Sequence, residues 1–335
     1  MTGRRLPTVA VLFVVLASCS TPAGHHTQTM APGVVSPSAP PTSSPPKPLV
    51  TTSSSPRGAQ APPGGSPCGF GAAAPARYSH VVWIWMENRT YGSVLGNAAA
   101  PYENALVQQC GTDRAYHDVG SPSLPNYLGA TSGQTWGIAD DSGPAAHPLS
   151  VDNLFRQVRV SGRTERSYVE DMPANCATAT DGRYAVKHNP EVYYVGGGDR
   201  TACLADDLPL GTTAAGPFIS DLDGGRLPSF ALVVPNICDD GHDCSAATGD
   251  RWLATWLPHL LDSPTYRSGG TAVFVVWDES TPMPNIVVSP TTPPGLVSAA
   301  PVDHYGLLRT TEELLGLPLL GRAQTAASLR PVFRL

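Results

Sequence analysis

Five short stretches hold the residue types that could do chemistry together. They are Glu87-Asn88, Ser123 within SPSLPN, His188 after Lys187, His242 between Asp240 and Asp243, and Asp278-Glu279. Glu87, Asn88, Asp278 and Glu279 offer hard oxygen atoms suited to a divalent cation. Several carboxylates buried at one edge need a cation or a cluster of bases beside them. Basic residues are few in this chain, which favours a metal, and Ca, Mg, Mn and Zn all suit such ligands. A serine held rigidly between Pro122 and Pro125 beside that cation can lose its proton and attack phosphorus. Ser132, in a Thr-Ser-Gly turn, is the competing nucleophile. His188, His242 and His304 lie among acidic and amide neighbours, where imidazole can hold phosphate oxygens, protonate a leaving group or ligate metal. His117, His147 and His259 lack such neighbours and read as surface or structural residues.

The elements that must position these groups are legible as apolar runs. His80–Met86, Phe230–Val234, Ala272–Trp277 and Asn285–Ser289 are almost continuously apolar, the pattern of strands buried on both faces of a parallel sheet. Helical patterns fall between them at Pro101–Cys110, Val151–Val160, Arg251–Leu261 and Tyr305–Leu315. The alternation predicts one α/β domain with a mostly parallel central sheet and helices on both faces. Three of these strands end on polar groups: Glu87-Asn88, Pro235-Asn236 with its Asp/His-rich loop, and Asp278-Glu279. The carboxyl ends of parallel strands share one edge, where ligands bind. Ser123 and Asn126 are expected on a short proline-stiffened loop that leads into a helix.

The net charge of −6 argues against a protein that binds a nucleic-acid backbone through excess Lys and Arg. Only 14% of residues are charged and 35 are Pro, which argues against coiled coils and helical repeats. Residues 1–18 read as a lipoprotein signal peptide, with Arg4 and Arg5 before the apolar run Val9–Leu16. Leu16-Ala17-Ser18-Cys19 resembles a bacterial lipobox, which makes Cys19 the lipid-bearing residue; an ordinary signal peptide and a secreted product are the alternative. Residues 19–67 read as a lipid-anchored, disordered Pro/Ser/Thr-rich linker, and 68–335 as the catalytic domain. Of the 7 cysteines, the six after Cys19 are expected to pair, sequentially, as three disulfides outside the cytoplasm. A zinc site at Cys238, His242 and Cys244 is a weaker reading, because paired CxxC spacing is missing.

MEN at 86–88, PSLPNY at 122–127, KHNP at 187–190, PNICDDGHD at 235–243, WDE at 277–279 and DHYGLLRTTEELLGLP at 303–318 occur in this order. Together they resemble the bacterial acid phosphatase/phospholipase C phosphoesterase family of the alkaline phosphatase superfamily, over roughly residues 78–320. The resemblance implies a single alkaline-phosphatase-like domain. It assigns Ser123 as nucleophile, with Glu87, Asn88, Asp278 and Glu279 as metal ligands. It places His188 and His242 around the phosphate, with Asn126 and His304 as further substrate-binding positions. The expected activity is an extracytoplasmic acid phosphatase acting on phosphate monoesters through a metal-activated serine and a phosphoserine intermediate. Phospholipase C-type diester cleavage and an inactive cell-surface lipoprotein of the same fold are the alternatives. The implied partners are a phosphorylated small molecule or phospholipid headgroup and the membrane through the lipid anchor. Two departures stand out. Ser121 replaces a histidine common in relatives, and the STPMPN segment after Glu279 is shorter and less acidic than the usual continuation.

Overall fold

A computed structural model describes residues 65–335; the signal segment, Cys19 and nearly all of the linker lie outside the described residues. Nine strands form one sheet: β1 (His80–Met86), β2 (Gly111–His117), β3 (Glu165–Val169), β4 (Asp207–Pro209), β5 (Phe230–Val234), β6 (Thr271–Trp277), β7 (Met283–Val288), β8 (Leu296–Ser298) and β9 (Val302–Asp303). Their order is β4-β3-β5-β1-β6-β7-β2-β8, with β9 paired to β2. Every pairing is parallel except the two made by β7 with β6 and β2.

The central strands follow from their composition. All seven residues of β6 and all five of β5 are buried, as are six of the seven in β1. Such strands have no polar side to expose, so helices must cover both faces. The Ala246–Leu261 and His304–Leu315 helices are two of these covers, each burying an apolar stripe. Trp83 and Trp85, next-but-one on β1, share a face and pack tilted against each other with ring centroids 5.8 Å apart. Trp83 donates its indole N–H to Thr311 Oγ1 of the His304–Leu315 helix at 2.9 Å, which ties that helix to the sheet.

Two expectations need correction. The Asn285–Ser289 strand, read as parallel, is the antiparallel β7 and begins at Met283. Five residues, 278–282, join it to β6, and so short a link can return only as an antiparallel neighbour. Ser123 and Asn126 lie not on a loop but in the first turn or so of a ten-residue helix, Ser123–Ser132, every residue of which is buried. Pro122 precedes its first residue, and Pro125 falls where a helix has no N–H to bond, so neither proline obstructs it. The helix ends at Gly133, whose φ of +75° is left-handed; a Cβ there would sit 2.6 Å from the Leu320 carbonyl oxygen.

The cysteines pair sequentially, as Cys68–Cys110, Cys176–Cys203 and Cys238–Cys244. With both sulfurs of the last pair in a disulfide, zinc binding by Cys238 and Cys244 is excluded.

Candidate active site

One edge of the sheet collects the chemistry. β1 runs out into Glu87 and Asn88, β6 into Asp278 and Glu279, and β5 into the loop of Asp240 and His242. β2 points the same way and leads through Asp118 and Ser121 into the Ser123 helix. The shared direction of these parallel strands is what brings residues from four stretches of chain to one rim.

At its centre is Glu87, fully buried. Its Oε2 accepts a hydrogen bond from Ser123 Oγ at 3.2 Å, and its Oε1 accepts one from the Tyr127 hydroxyl. Ser123 and Tyr127 are four residues apart on one helix and therefore share the face turned to Glu87. Glu87 Oε1 also lies 3.4 Å from His188 Nε2, while His188 Nδ1 lies 3.1 Å from Asp240 Oδ2. Asp278 Oδ1 accepts the Asn88 backbone N–H at 2.9 Å. The strand ends are themselves linked, since the Glu87 N–H donates to the Asp240 carbonyl at 2.9 Å.

The electrostatics follow from crowding. Burial, then the Asp278 and Asp240 charges, push the Glu87 carboxyl well above its ordinary range. Burial pushes Asp240 up to about 8 and raises Glu279, with Asp278 adding to the latter. Burial drives His188 down to about 3, so its imidazole is neutral. Asp278 Oδ2, Asp240 Oδ2 and both His188 nitrogens are buried without a hydrogen-bond partner. Orphaned carboxylate oxygens and imidazole nitrogens at one spot fit a divalent cation in chemistry and in charge. One atom each of Glu87, His188 and His242 also fall within 4.8 Å of one another.

The other expected residues occupy an outer layer. His304 is fully buried, and its Nε2 lies 2.6 Å from the Asp278 carbonyl oxygen. A carbonyl only accepts, so Nε2 carries the proton, and Nδ1 accepts from the Tyr116 hydroxyl at 2.9 Å. His304 thus braces the Asp278 backbone. Asn126 Oδ1 accepts the Val119 and Gly120 N–H groups at 2.9 Å, and its Nδ2 donates to the Gly120 carbonyl at 2.9 Å. Both ends of that amide are spent on the backbone that leads into Ser123. Ser132, the competing nucleophile, donates to the Leu128 carbonyl at 2.7 Å at the far end of the same helix.

The segment after Glu279 is pinned to the residue that follows β2: the Asp118 N–H donates to Thr281 Oγ1 at 2.9 Å, and the Thr281 N–H to Asp118 Oδ2 at 3.3 Å.

Sequence reasoning passed over Asp240, Tyr127, Arg89, Lys187 and Asp141. Asp240 and Lys187 flank histidines already singled out, and Tyr127 follows Ser123 by one helical turn, so a signal existed for these three. Asp141 and Arg89 carried none.

Among solved structures the fold is similar to an alkaline phosphatase superfamily protein from Vibrio parahaemolyticus, with 12% identity, 78% of this chain and 72% of that one covered, and a TM-score of 0.50. It is likewise similar to the lipoteichoic acid synthase LtaP from Listeria monocytogenes, at 9% identity, 75% and 77% coverage and a TM-score of 0.50. The protein therefore has the α/β fold of the alkaline phosphatase superfamily. Residues 97–283 match the model of the Phosphoesterase family, and the chain belongs to that family. It is 30% identical over 275 residues to the phosphatidylinositol-3-phosphatase of Mycobacterium tuberculosis, covering 79% of this chain and 86% of the relative. It is 27% identical to a probable acid phosphatase of Kluyveromyces lactis, covering 74% of this chain and 60% of that protein. With such relatives the chain is a phosphoric ester hydrolase.

Proposed function

We propose that the protein is an extracytoplasmic acid phosphatase that hydrolyses phosphate monoesters with Ser123 as nucleophile. The observation that carries this reading is the buried hydrogen bond from Ser123 Oγ to Glu87 Oε2, 3.2 Å long, beside the partnerless oxygens of Asp278 and Asp240. Ser123 is the first residue of its helix, where the helix dipole favours a dianionic phosphoryl group. In its ionised form Glu87 orients the hydroxyl and accepts its proton as Oγ closes on phosphorus. The bond from phosphorus to the leaving oxygen then breaks, leaving a phosphoserine. His242 has its Nδ1 held by Asp243 at 2.7 Å, which leaves Nε2 at the rim to give the departing alcohol a proton. A water, deprotonated by the same histidine, then attacks the phosphoserine; the bond from phosphorus to Oγ breaks, phosphate leaves and Ser123 takes its proton back from Glu87.

Glu87, Asn88, Asp278 and Glu279 would hold a divalent cation, with His188 and His242 near Glu87, and such an ion would supply Lewis-acid charge to the hydroxyl and the phosphoryl oxygens. Asn126 and His304 serve as positioning residues, the first for the backbone before Ser123 and the second for the Asp278 backbone.

The signal-like residues 1–18, Cys19 and the three disulfides of the described residues support a lipid-anchored location outside the cytoplasm. The substrate is a phosphorylated small molecule or a phospholipid headgroup, in keeping with the activity for which the mycobacterial relative is named.

Phosphate release from p-nitrophenyl phosphate and from its bis-ester by the full chain, before and after chelation, tests the reading. The Ser123→Ala variant should lose roughly 10³-fold or more in kcat and keep the wild-type circular dichroism spectrum. A Ser123→Ala protein with wild-type turnover would sink the assignment, and a wild type that prefers the bis-ester would move it to a diesterase.

A further inference from the structure

The chain has only two lysines, Lys47 and Lys187, among 21 basic residues. Lys187, the one within the described residues, lies at the rim of the site, in the short turn that also carries His188. Its Nζ is 2.9 Å from Asp141 Oδ2 and 3.2 Å from His242 Nε2. The other Asp141 oxygen, Oδ1, accepts the N–H of Leu124 at 3.0 Å, the amide directly after Ser123. One carboxylate therefore joins the ammonium to the start of the nucleophile's helix.

An ordinary surface ion pair does not account for this arrangement. Its two side chains retain only 18% and 27% of their exposure, enough for a ligand to reach them and too little for free movement. A phosphate dianion entering here meets the carboxylates of Glu87, Asp278, Glu279 and Asp240. Arg89, two residues after Glu87, has its Nη2 engaged by the Gly241 and Cys244 carbonyls at 2.7 and 2.5 Å, and its Nε is buried without a partner. An ammonium has three N–H groups, and Lys187 uses two on protein partners. The third has none among the described residues. A lysine also suits the place better than the arginine used almost everywhere else in this chain, being a compact point charge that can re-aim a single bond.

We propose that Lys187 binds the phosphoryl oxygens of the substrate, that Asp141 positions it, and that this charge favours monoesters over diesters. The inference rests on the phosphatase reading above. On substrate entry the ammonium passes its bond from His242 Nε2 to a phosphoryl oxygen, which frees that nitrogen to take up the proton it gives the leaving group. A monoester dianion carries twice the charge of a diester monoanion, so the loss of one fixed positive charge penalises the monoester more.

The test compares Lys187→Met and Asp141→Asn with wild type as full-length proteins. Lys187→Met should lower kcat/KM for p-nitrophenyl phosphate roughly 10²-fold. The loss for the bis-ester should be smaller, so the ratio of monoester to diester turnover falls. Asp141→Asn keeps an oxygen for the Leu124 N–H and removes the ion pair, so it should raise KM more than it lowers kcat. Inorganic phosphate titrated calorimetrically into Ser123→Ala, with and without Lys187→Met, gives a readout independent of turnover, and affinity should fall roughly 10-fold or more in the double variant. Equal losses on both esters, or unchanged phosphate affinity, would overturn the role of Lys187. A wild type without turnover of either ester strikes the phosphatase reading instead, and the phosphate titration then still decides whether Lys187 binds the anion.

Discussion

Glu312 offers a test of how this fold responds to pH, because it lies off the catalytic rim and inside the protein. It is fully buried on the His304–Leu315 helix, where Oε1 accepts the Leu320 N–H at 2.9 Å and Oε2 has no partner. Burial pushes its carboxyl from 4.5 up to about 8; the Leu320 bond opposes this, Glu313 adds to it and Arg309 opposes it. A carboxyl raised on folding stabilises the native state fully below its unfolded value, and that stability is lost as pH climbs through the folded value. Between about pH 4.5 and 8 the wild type should therefore weaken. At pH 7 a shift of this size corresponds to about 3 kcal/mol. Glu312→Gln has nearly the shape of the protonated acid and cannot ionise. Its stability should match wild type at pH 4 and exceed it by about 3 kcal/mol at pH 7, a rise in Tm of roughly 6 °C or more. Urea unfolding of both proteins at pH 4, 5.5, 7 and 8.5 measures the difference directly. Glu165 and Asp207, pushed by burial up to about 7 and 8, act with the same sign, so some decline with pH remains in the variant. A constant gap between the two proteins across this range would refute the reasoning.

Two further predictions concern the site's support and its address. Arg89→Met removes two charge-assisted bonds to the loop closed by Cys238–Cys244, which carries Asp240 and His242. It should lower the unfolding free energy by about 2–3 kcal/mol and kcat/KM on p-nitrophenyl phosphate roughly 10-fold; changes within about 0.5 kcal/mol and twofold would count against that role. In a bacterial host Cys19→Ser should move phosphatase activity from the membrane fraction to the soluble fraction or the medium, and activity that stays with the membranes would exclude a lipid on Cys19.

The strands at the centre were readable because burial on both faces leaves no room for polar residues. β1 and β5 have the bounds their apolar runs suggest, and β6 differs by one residue. β2, with the sequence GTDRAYH, gave no such signal, and neither did β3, where Glu165 is buried within ERSYV. Their strand conformation comes from neighbours: β2 from β7 and β8, β3 from β4 and β5. The Ser123 helix was masked by two prolines that ordinarily signal a turn, although both fall where a helix tolerates them. The antiparallel course of β7 was implicit in the five residues before it, a length that apolar periodicity alone does not weigh.

For the site, sequence alone determined the inventory: an acidic and amide pair after β1, another acidic pair after β6, a serine between prolines and histidines in polar loops. Chain order and strand direction were enough to send them to one edge. Only the tertiary structure decided which atoms meet. Lys187 reaches Asp141 across 46 residues and His242 across 55, and Ser123 reaches Glu87 across 36. It also turned Asn126 and His304 toward backbone groups, by burying them where carbonyls and N–H groups needed partners. A residue's type and its place in a strand or loop are local properties, whereas its hydrogen-bond partner depends on sheet order and loop path, which the whole chain sets together.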